Sequence, residues 1–404
     1  AYAKRPVVVN NWEATYFDFD TDKLFAIIDK AATLGVDTFV LDDGWFGKRD
    51  NDDSGLGDWF VNTKKLRGGL KPVIDRCKQN GLKFGLWFEP EMVSEDSDLY
   101  RTHPDWAVGK LGNEPSRSRN QLVLDMTRKE VVDYVFEAVS KVLADNDISY
   151  VKWDMNRGVT EAYSMALSAD KQGEFYHRYT LGVYDLADRL TKAFPEVFFE
   201  GCASGGGRFD AGMLYYFPQI WTSDDTDAYE RTKIQWGTAT CYPQSAMSCH
   251  VSACPNHQTQ RITPFNTRGV VASLGPTGYE LDPTKLSEQE ITQVKTQIAD
   301  YEKVADLLLQ GDSFRLCNPF SGNYFAQMIV AKDKRAAYLC GVRTHGVPCD
   351  YDNFVALTGL SEEFTYRIEE LDVTASGTAL TTIGVRLPRL PDFGAWTWHI
   401  VAVD

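Results

Sequence analysis

Short apolar runs that end in polar residues, each followed by a stretch of helical periodicity, dominate the first three quarters of this chain. The runs are PVVVNNW (6–12), TFVLDDGWF (38–46), KFGLWFEPE (83–91), LVLDMT (122–127), YVKWDM (150–155), VFFEGCAS (197–204), IWTSDDT (220–226) and AMSCHVS (246–252). Most are continuously apolar rather than alternating, which is how strands buried on both faces read. The segments between them repeat at helical spacing. After Thr127 the apolar positions are Val131, Val132, Val135, Phe136, Val139, Val142 and Leu143, and similar stretches cover 21–34, 70–79, 172–194 and 228–240. Thr127 with Glu130 has the form of a capping box, as does Ser287 with Glu290 ahead of a helix predicted to run to Gly311. Eight strand-then-helix units predict a (β/α)8 TIM barrel over residues 1–311.

Beyond Gly311 the pattern changes to short alternating runs, including YFAQMIVA, AAYLCGV, FTYRIEEL, TTIGVRL and WTWHIVAVD, separated by Gly, Asp and Pro. They predict a small antiparallel β-sandwich domain over 312–404, covering the side of the barrel.

Bulk properties narrow the partners. A net charge of −15 argues against nucleic acid and gives no attraction for anionic substrates, so a neutral ligand such as a sugar fits best. No run of 18 apolar residues exists to span a membrane. The eight cysteines are scattered in a chain too large to need disulfide bracing and read as reduced. With no secretory signal at its start, the chain is expected in the cytoplasm; lacking an initial Met, it reads as a processed or excised piece of something longer. Cys249, His250, Cys254 and His257 are close enough in sequence to suggest metal ligands, but no paired C-x-x-C unit occurs, and core cysteines beside loop histidines are the simpler reading.

Catalytic groups of a (β/α)8 barrel sit at the C-terminal ends of its strands. The ends of these runs carry Trp12, Asp42, Asp43, Trp87, Glu89, Asp154, Cys202, Asp224 and Asp225. In KWDMNR (152–157), strand alternation puts Lys152, Asp154 and Asn156 on one face. A neighbouring ammonium and amide favour the carboxylate form of Asp154, which suits either a glycosidase nucleophile or a structural ion pair. WTSDDTDA (221–228) supplies a second acidic cluster, readable as a general acid or as an Asp-rich helix cap, and the residues alone do not choose between Asp224 and Asp225. In LDDGWF, Gly44 lets the chain turn so that Asp42 and Asp43 can both face a pocket and accept from sugar hydroxyls. Trp12 and Trp87 offer flat apolar faces for a hexose or ordinary packing under a loop. EGCASGGGR (200–208) allows close backbone approach to a ligand, and Arg119 precedes the 122–127 run.

Taken in order, LDDGWF, GLWFEPEMVS, SRNQLVLD, KWDMNR, EGCASGGGRFD, WTSDDTDA and PNHQTQR resemble the α-galactosidases of glycoside hydrolase family 36, in the clan that also holds melibiases. The resemblance spans roughly residues 5–310, and the remainder is similar to that family's C-terminal β domain. It implies a retaining, exo-acting α-galactosidase that needs no metal or organic cofactor. Asp154 would be its nucleophile and Asp224 its acid/base. Asp42 and Asp43 would accept from galactose hydroxyls, and Trp12, Trp87, Arg119, Lys152, Asn156, Cys202 and Gly205 would complete the sugar-binding wall. Retention implies carboxyl groups roughly 5 Å apart. Family members usually carry a β-sandwich domain ahead of the barrel that supports oligomers; it is missing here, so a homo-oligomer is an open expectation. On the same scaffold, α-N-acetylgalactosaminidase or transglycosylase activity would use the same carboxylates. A silent sugar-binding protein would lack one of them. A metal-dependent barrel hydrolase would place paired histidines on early strands, where this chain has none.

Overall fold

A computed structural model describes residues 4–110, 112–349 and 353–403. Its first part is a closed barrel of eight parallel strands: β1 (Val8–Asn10), β2 (Thr38–Leu41), β3 (Lys83–Phe88), β4 (Tyr150–Trp153), β5 (Phe198–Gly201), β6 (Gln219–Trp221), β7 (Met247–Ser252) and β8 (Thr277–Glu280). They pair in chain order, and β1 closes on β8 with Val8 opposite Gly278. A helix follows each strand: α1 (Thr21–Ala32), α2 (Lys71–Gln79), α3 (Lys129–Asp145), α4 (Phe175–Ala193), α5 (Ala211–Tyr216), α6 (Ala228–Thr238), α7 (Phe265–Ala272) and α8 (Glu288–Gln310). The apolar stripe predicted on α3 is buried at Val131, Val132, Val135, Val139, Val142 and Leu143.

Inside the barrel, side-chain alternation sorts polarity by height. Val8, Val40, Tyr150 and Phe198 form an apolar plug at the floor, with the Tyr150 and Phe198 rings stacked at 5.2 Å. Two residues further along the same strands, the inward positions become Asn10, Asp42, Lys152 and Glu200, all buried. The plug excludes water from below, so the polar layer above it is desolvated and open only toward the C-terminal end.

Two sequence expectations are corrected. The run 122–127 is not a barrel strand. Leu122–Val123 pairs antiparallel with Met92–Val93 inside the long β3–α3 connection, where both are buried, so the run is as apolar as a barrel strand without being one. The fourth strand is therefore β4, the 246–252 run is the seventh, and the eighth is Thr277–Glu280. That strand is only four residues long and contains Gly278, where a Cβ would come within 2.7 Å of Val8 and of His250; the glycine lets the barrel close. Thr127 does not cap α3 either. Its backbone N–H and hydroxyl donate to Asp125 Oδ1, and the helix starts behind Arg128 with no side-chain cap. At α8 both halves of the Ser287–Glu290 box form, and the helix stops before Gly311, whose N–H donates to Leu307 O.

The chain then enters an antiparallel domain. Six strands, β9 (Asp312–Cys317), β10 (Tyr324–Val330), β11 (Ala336–Arg343), β13 (Thr365–Ile368), β14 (Val373–Ser376) and β16 (Gly394–Ala402), pair in the order β9-β10-β11-β16-β13-β14. A two-stranded ladder, β12 (Phe354–Val355) with β15 (Val385–Arg386), packs Val355 into the same core as Leu339, Tyr366 and Trp398. The sheet leans on α7, where Ser273 lies 3.1 Å from the Tyr338 hydroxyl. Among the described residues no helix is long and apolar enough to cross a membrane.

Candidate active site

At the open end of the barrel, Asp154 follows β4 and its backbone N–H donates to Phe88 O of β3, which sets the carboxylate over the mouth. Four N–H groups converge on it. Met155 N and Ser204 N donate to Oδ1 at 2.8 and 3.3 Å; Asn156 Nδ2 and Trp87 Nε1 donate to Oδ2 at 2.8 and 3.3 Å. These donors come from β3 itself and from the connections after β4 and β5, so the carboxylate is fixed in direction by the barrel itself. The strand ends at Trp153, yet Asn156 still bonds to Asp154 beyond it. Arg119 reaches in from its loop, donating to Asn156 Oδ1 at 2.6 Å and to Ser204 Oγ at 3.1 Å.

Lys152 points inward and donates to Asp42 Oδ2 at 2.8 Å, with both side chains buried. Burial opposes its charge, but Asp42 and Glu280 hold the ammonium well above its ordinary range. Burial pushes the Asp42 carboxyl up against the pull of Lys152, with Glu280 adding to the rise. Asp43 turns the other way and takes two parallel bonds from Arg49, at 3.0 and 2.9 Å. Gly44 supplies the turn with a φ of 105°. Adjacent acids thus serve two different cations.

Asp224 follows β6. Trp221 Nε1 donates to its Oδ1 at 3.1 Å, and no other N–H donates to the carboxylate among the described residues. Burial, then the neighbouring Asp154, pushes its carboxyl up; Lys152 opposes and Glu280 adds. Asp225 is instead part of the turn, accepting from Asp227 N, while Asp227 caps α6 by accepting from Tyr229 N. The acidic cluster therefore holds both a pocket carboxylate and a helix cap.

Cys202 is buried beside both carboxylates; burial, then Asp154 and Asp224, pushes its thiol well up. Gly205 has a φ of 83°, and a Cβ there would stand 2.6 Å from Asp224 N and Ser223 Cα, so only glycine lets the β5 loop lie against the Asp224 backbone. Trp12, half-buried, meets Tyr16 and Phe17 edge-on at 5.2 Å. Trp87 is almost fully buried, stacked against Phe46 at 6.1 Å, and meets the site through its N–H. All eleven residues to which the family resemblance gives a role thus lie on the β1–β6 ends or on loops bonded to them.

Sequence reasoning missed the buried support. Glu13 accepts from Thr226 Oγ1 at 2.7 Å and from Ala253 N at 3.3 Å, and burial pushes its carboxyl up to about 8, with Glu280 adding. Glu280 lies 3.2 Å from His250 Nδ1; burial raises it, but Lys152 and His250 hold it below its ordinary range. Glu91 accepts two bonds from Arg208, at 2.9 and 2.7 Å, and others from Trp153 and Tyr179, clamping the β5 loop to β4. No spacing signal links partners such as Glu13 and Ala253, which lie far apart in the chain. Among the described residues no three metal-ligating side chains converge; His250 faces Glu280, and burial pushes the Cys249 thiol up to about 12.

Residues 1–311 match the Melibiase family model, and residues 324–400 match the glycosyl hydrolase family 36 C-terminal domain. An alpha-galactosidase of Lactobacillus acidophilus is 50% identical over 401 residues, covering 99% of this chain and 55% of that protein. Alpha-galactosidase AgaA of Geobacillus stearothermophilus is 50% identical, with 99% and 55% covered. The crystal structure of AgaA superposes with a TM-score of 0.96 over 99% of this chain and 56% of that one. Variants of AgaA in complex with raffinose and with stachyose, each with a further aspartate replaced, superpose with TM-scores of 0.97 and 0.96 at 49% identity. The chain spans about half the length of the curated relatives it matches.

Proposed function

This chain belongs to the melibiase family, and from that premise we propose that it is a retaining, exo-acting α-galactosidase that removes terminal α-D-galactosyl residues from neutral oligosaccharides. One observation carries the mechanism: two carboxylates at one barrel mouth are held in opposite electrostatic settings. Four N–H donors hold both oxygens of Asp154 in a fixed direction, as a nucleophile requires. A single donor, burial and the neighbouring Asp154 favour the proton on Asp224, as a general acid requires. The two aspartates replaced in the AgaA complexes stand the same number of residues apart as Asp154 and Asp224, which supports the pairing.

In the first displacement Asp224 gives its proton to the glycosidic oxygen as Asp154 Oδ attacks the anomeric carbon, and the C–O bond to the leaving sugar breaks. Asp224, now an anion, takes a proton from water. That water displaces Asp154 and releases α-galactose. Asp42 and Lys152 of the polar layer, with Asp43 held by Arg49, are the partners proposed for the sugar hydroxyls, and Trp12 offers an apolar face. The eight cysteines are unpaired, which suits a reducing cytoplasm. Raffinose and stachyose, bound by variants of AgaA, are the first substrates to try.

The test is azide trapping. Asp154→Gly should lose about a thousandfold or more in turnover of an aryl α-galactoside and, with azide, form β-galactosyl azide. Asp224→Ala should form the α-azide from the trapped galactosyl enzyme. Turnover unchanged in Asp154→Gly, or a first-formed β-galactose from the wild type, would overturn the mechanism.

A further inference from the structure

Behind the nucleophile lies a carboxylic acid that the double displacement does not use. Glu89 follows β3 and is completely buried. Its Oε1 accepts from the Asn156 backbone N–H and, at 2.6 Å, from Gln121 Nε2. Its Oε2 is buried with no hydrogen-bond partner among the described residues. Asn156 in turn donates to Asp154 Oδ2 and accepts from Arg119, so one carboxyl group sets the position of the residue that orients both. An ionised Glu89 would leave an anionic oxygen buried and unpaired next to a second anion, the costliest arrangement a buried acid can adopt. A neutral acid leaves one O–H group unmatched but no buried charge.

We propose that Glu89 is a positioning residue for the α-galactosidase reaction, an uncharged carboxylic acid whose Oε1 holds Asn156 and thereby aims Asp154. The inference rests on the reading of Asp154 as nucleophile. The charged groups around Glu89 are Asp154 after β4 and Arg49 after β2, the latter engaged by Asp43; Arg119 and Arg157 stand beyond Asn156 and Gln121. Burial, then Asp154, pushes the Glu89 carboxyl up to about 8, with Asn156 and Arg49 opposing. Once ionised, Oε2 has no donor to accept from. The carboxylate must shift to find one, and Asn156 shifts with it, so Asp154 loses its aim as pH rises.

The experiment uses a dinitrophenyl α-galactoside, whose acidic leaving group needs little help from Asp224, so the pH dependence of kcat/KM is freed from the acid/base. Glu89→Gln keeps the Oε1 acceptor and cannot ionise. It should retain kcat at pH 6 within about threefold and move the alkaline limb, expected near 8 in the wild type, upward by about one pH unit or more. Glu89→Ala, confirmed folded by its melting curve, should lower kcat about a hundredfold with a smaller change in KM. Overlapping alkaline limbs for wild type and Glu89→Gln would overturn the proposal, as would a tenfold or greater loss at pH 6 in folded Glu89→Gln. Asp154→Gly with azide reports on the nucleophile separately, so failure here does not touch that assignment, and failure there is visible without Glu89 variants.

Discussion

Replacing Lys152 by Met tests whether the polar layer inside the barrel is held by charge pairing. The Lys152 ammonium sits 2.8 Å from Asp42 Oδ2, with side-chain exposures of 8% and 4%. Methionine fills nearly the same length without the charge. Asp42 would keep only the Asn10 amide on Oδ2 and the Asp43 N–H on Oδ1, and Glu280 would lose its largest opposing charge. Removing one partner of a buried ion pair costs about 3–5 kcal/mol. With the unfolding entropy of a barrel of this size, that is a fall in melting temperature of about 5–8 °C. The pH dependence gives the sharper check. The Asp42 carboxyl already lies above its ordinary range, and without Lys152 it rises further. An acid raised in the folded state contributes stability below its unfolded pKa and loses it as pH rises through the folded one. The deficit of Lys152→Met should therefore be larger at pH 8 than under acid conditions, shrinking on acidification as Asp42 takes up a proton. Adding Asp42→Asn removes the orphaned charge and should recover more than half of the deficit at pH 8. Melting followed by circular dichroism at both pH values measures all of this. A deficit that stays constant or grows on acidification, or a double variant less stable than Lys152→Met, would refute the reasoning.

Glu13→Gln should lessen the fall in melting temperature expected of the wild type between pH 7 and 9, because the Glu13 carboxyl, pushed up to about 8, loses its proton there and the folded state loses stability with it, while Glu89 keeps its own share of the fall; parallel melting curves for the two proteins would count against a neutral Glu13. Gly205→Ala combines a positive φ with a Cβ 2.6 Å from Asp224 N, so it should displace the Asp224 loop and lower kcat by about tenfold or more while the far-ultraviolet circular dichroism stays unchanged; wild-type kcat would mean that the loop contact does not set the acid.

What the sequence made legible, and what it hid, follows from how a barrel is built. Strand-end acids are readable because buried parallel strands are continuous apolar runs and an acid at their end stands out; Asp42, Asp154 and Asp224 all announced themselves this way. The same signal misled at 122–127, because Leu122 and Val123 are as buried in a loop hairpin as any barrel strand, and burial rather than pairing is what an apolar run reports. It failed again at β8, where packing against Val8 and His250 demands Gly278 and erases the β-propensity. Glu280 ends that unread strand and Glu13 sits in a single helical turn after β1, so neither falls at a run end that periodicity could mark. Both act through partners brought near only by closure of the barrel: Glu280 meets His250 of β7, and Glu13 meets Ala253 just beyond it.

That division has a chemical basis. The proposed nucleophile and acid need only the end of a strand and a desolvated mouth, which local sequence specifies. Their different surroundings need the layer beneath: Lys152 and Glu280 pull the Asp224 carboxyl in opposite directions, and four separate N–H groups fix Asp154. In this barrel the apolar plug of Val8, Val40, Tyr150 and Phe198 keeps water from entering below, so each of those charges acts at short range in a weakly screening medium. A substitution that let water into the floor, though distant from any sugar, would weaken the Lys152–Asp42 pair and the rise of Asp224 together. Substrate chemistry and floor packing are therefore one electrostatic unit, connected along the inward faces of the same strands.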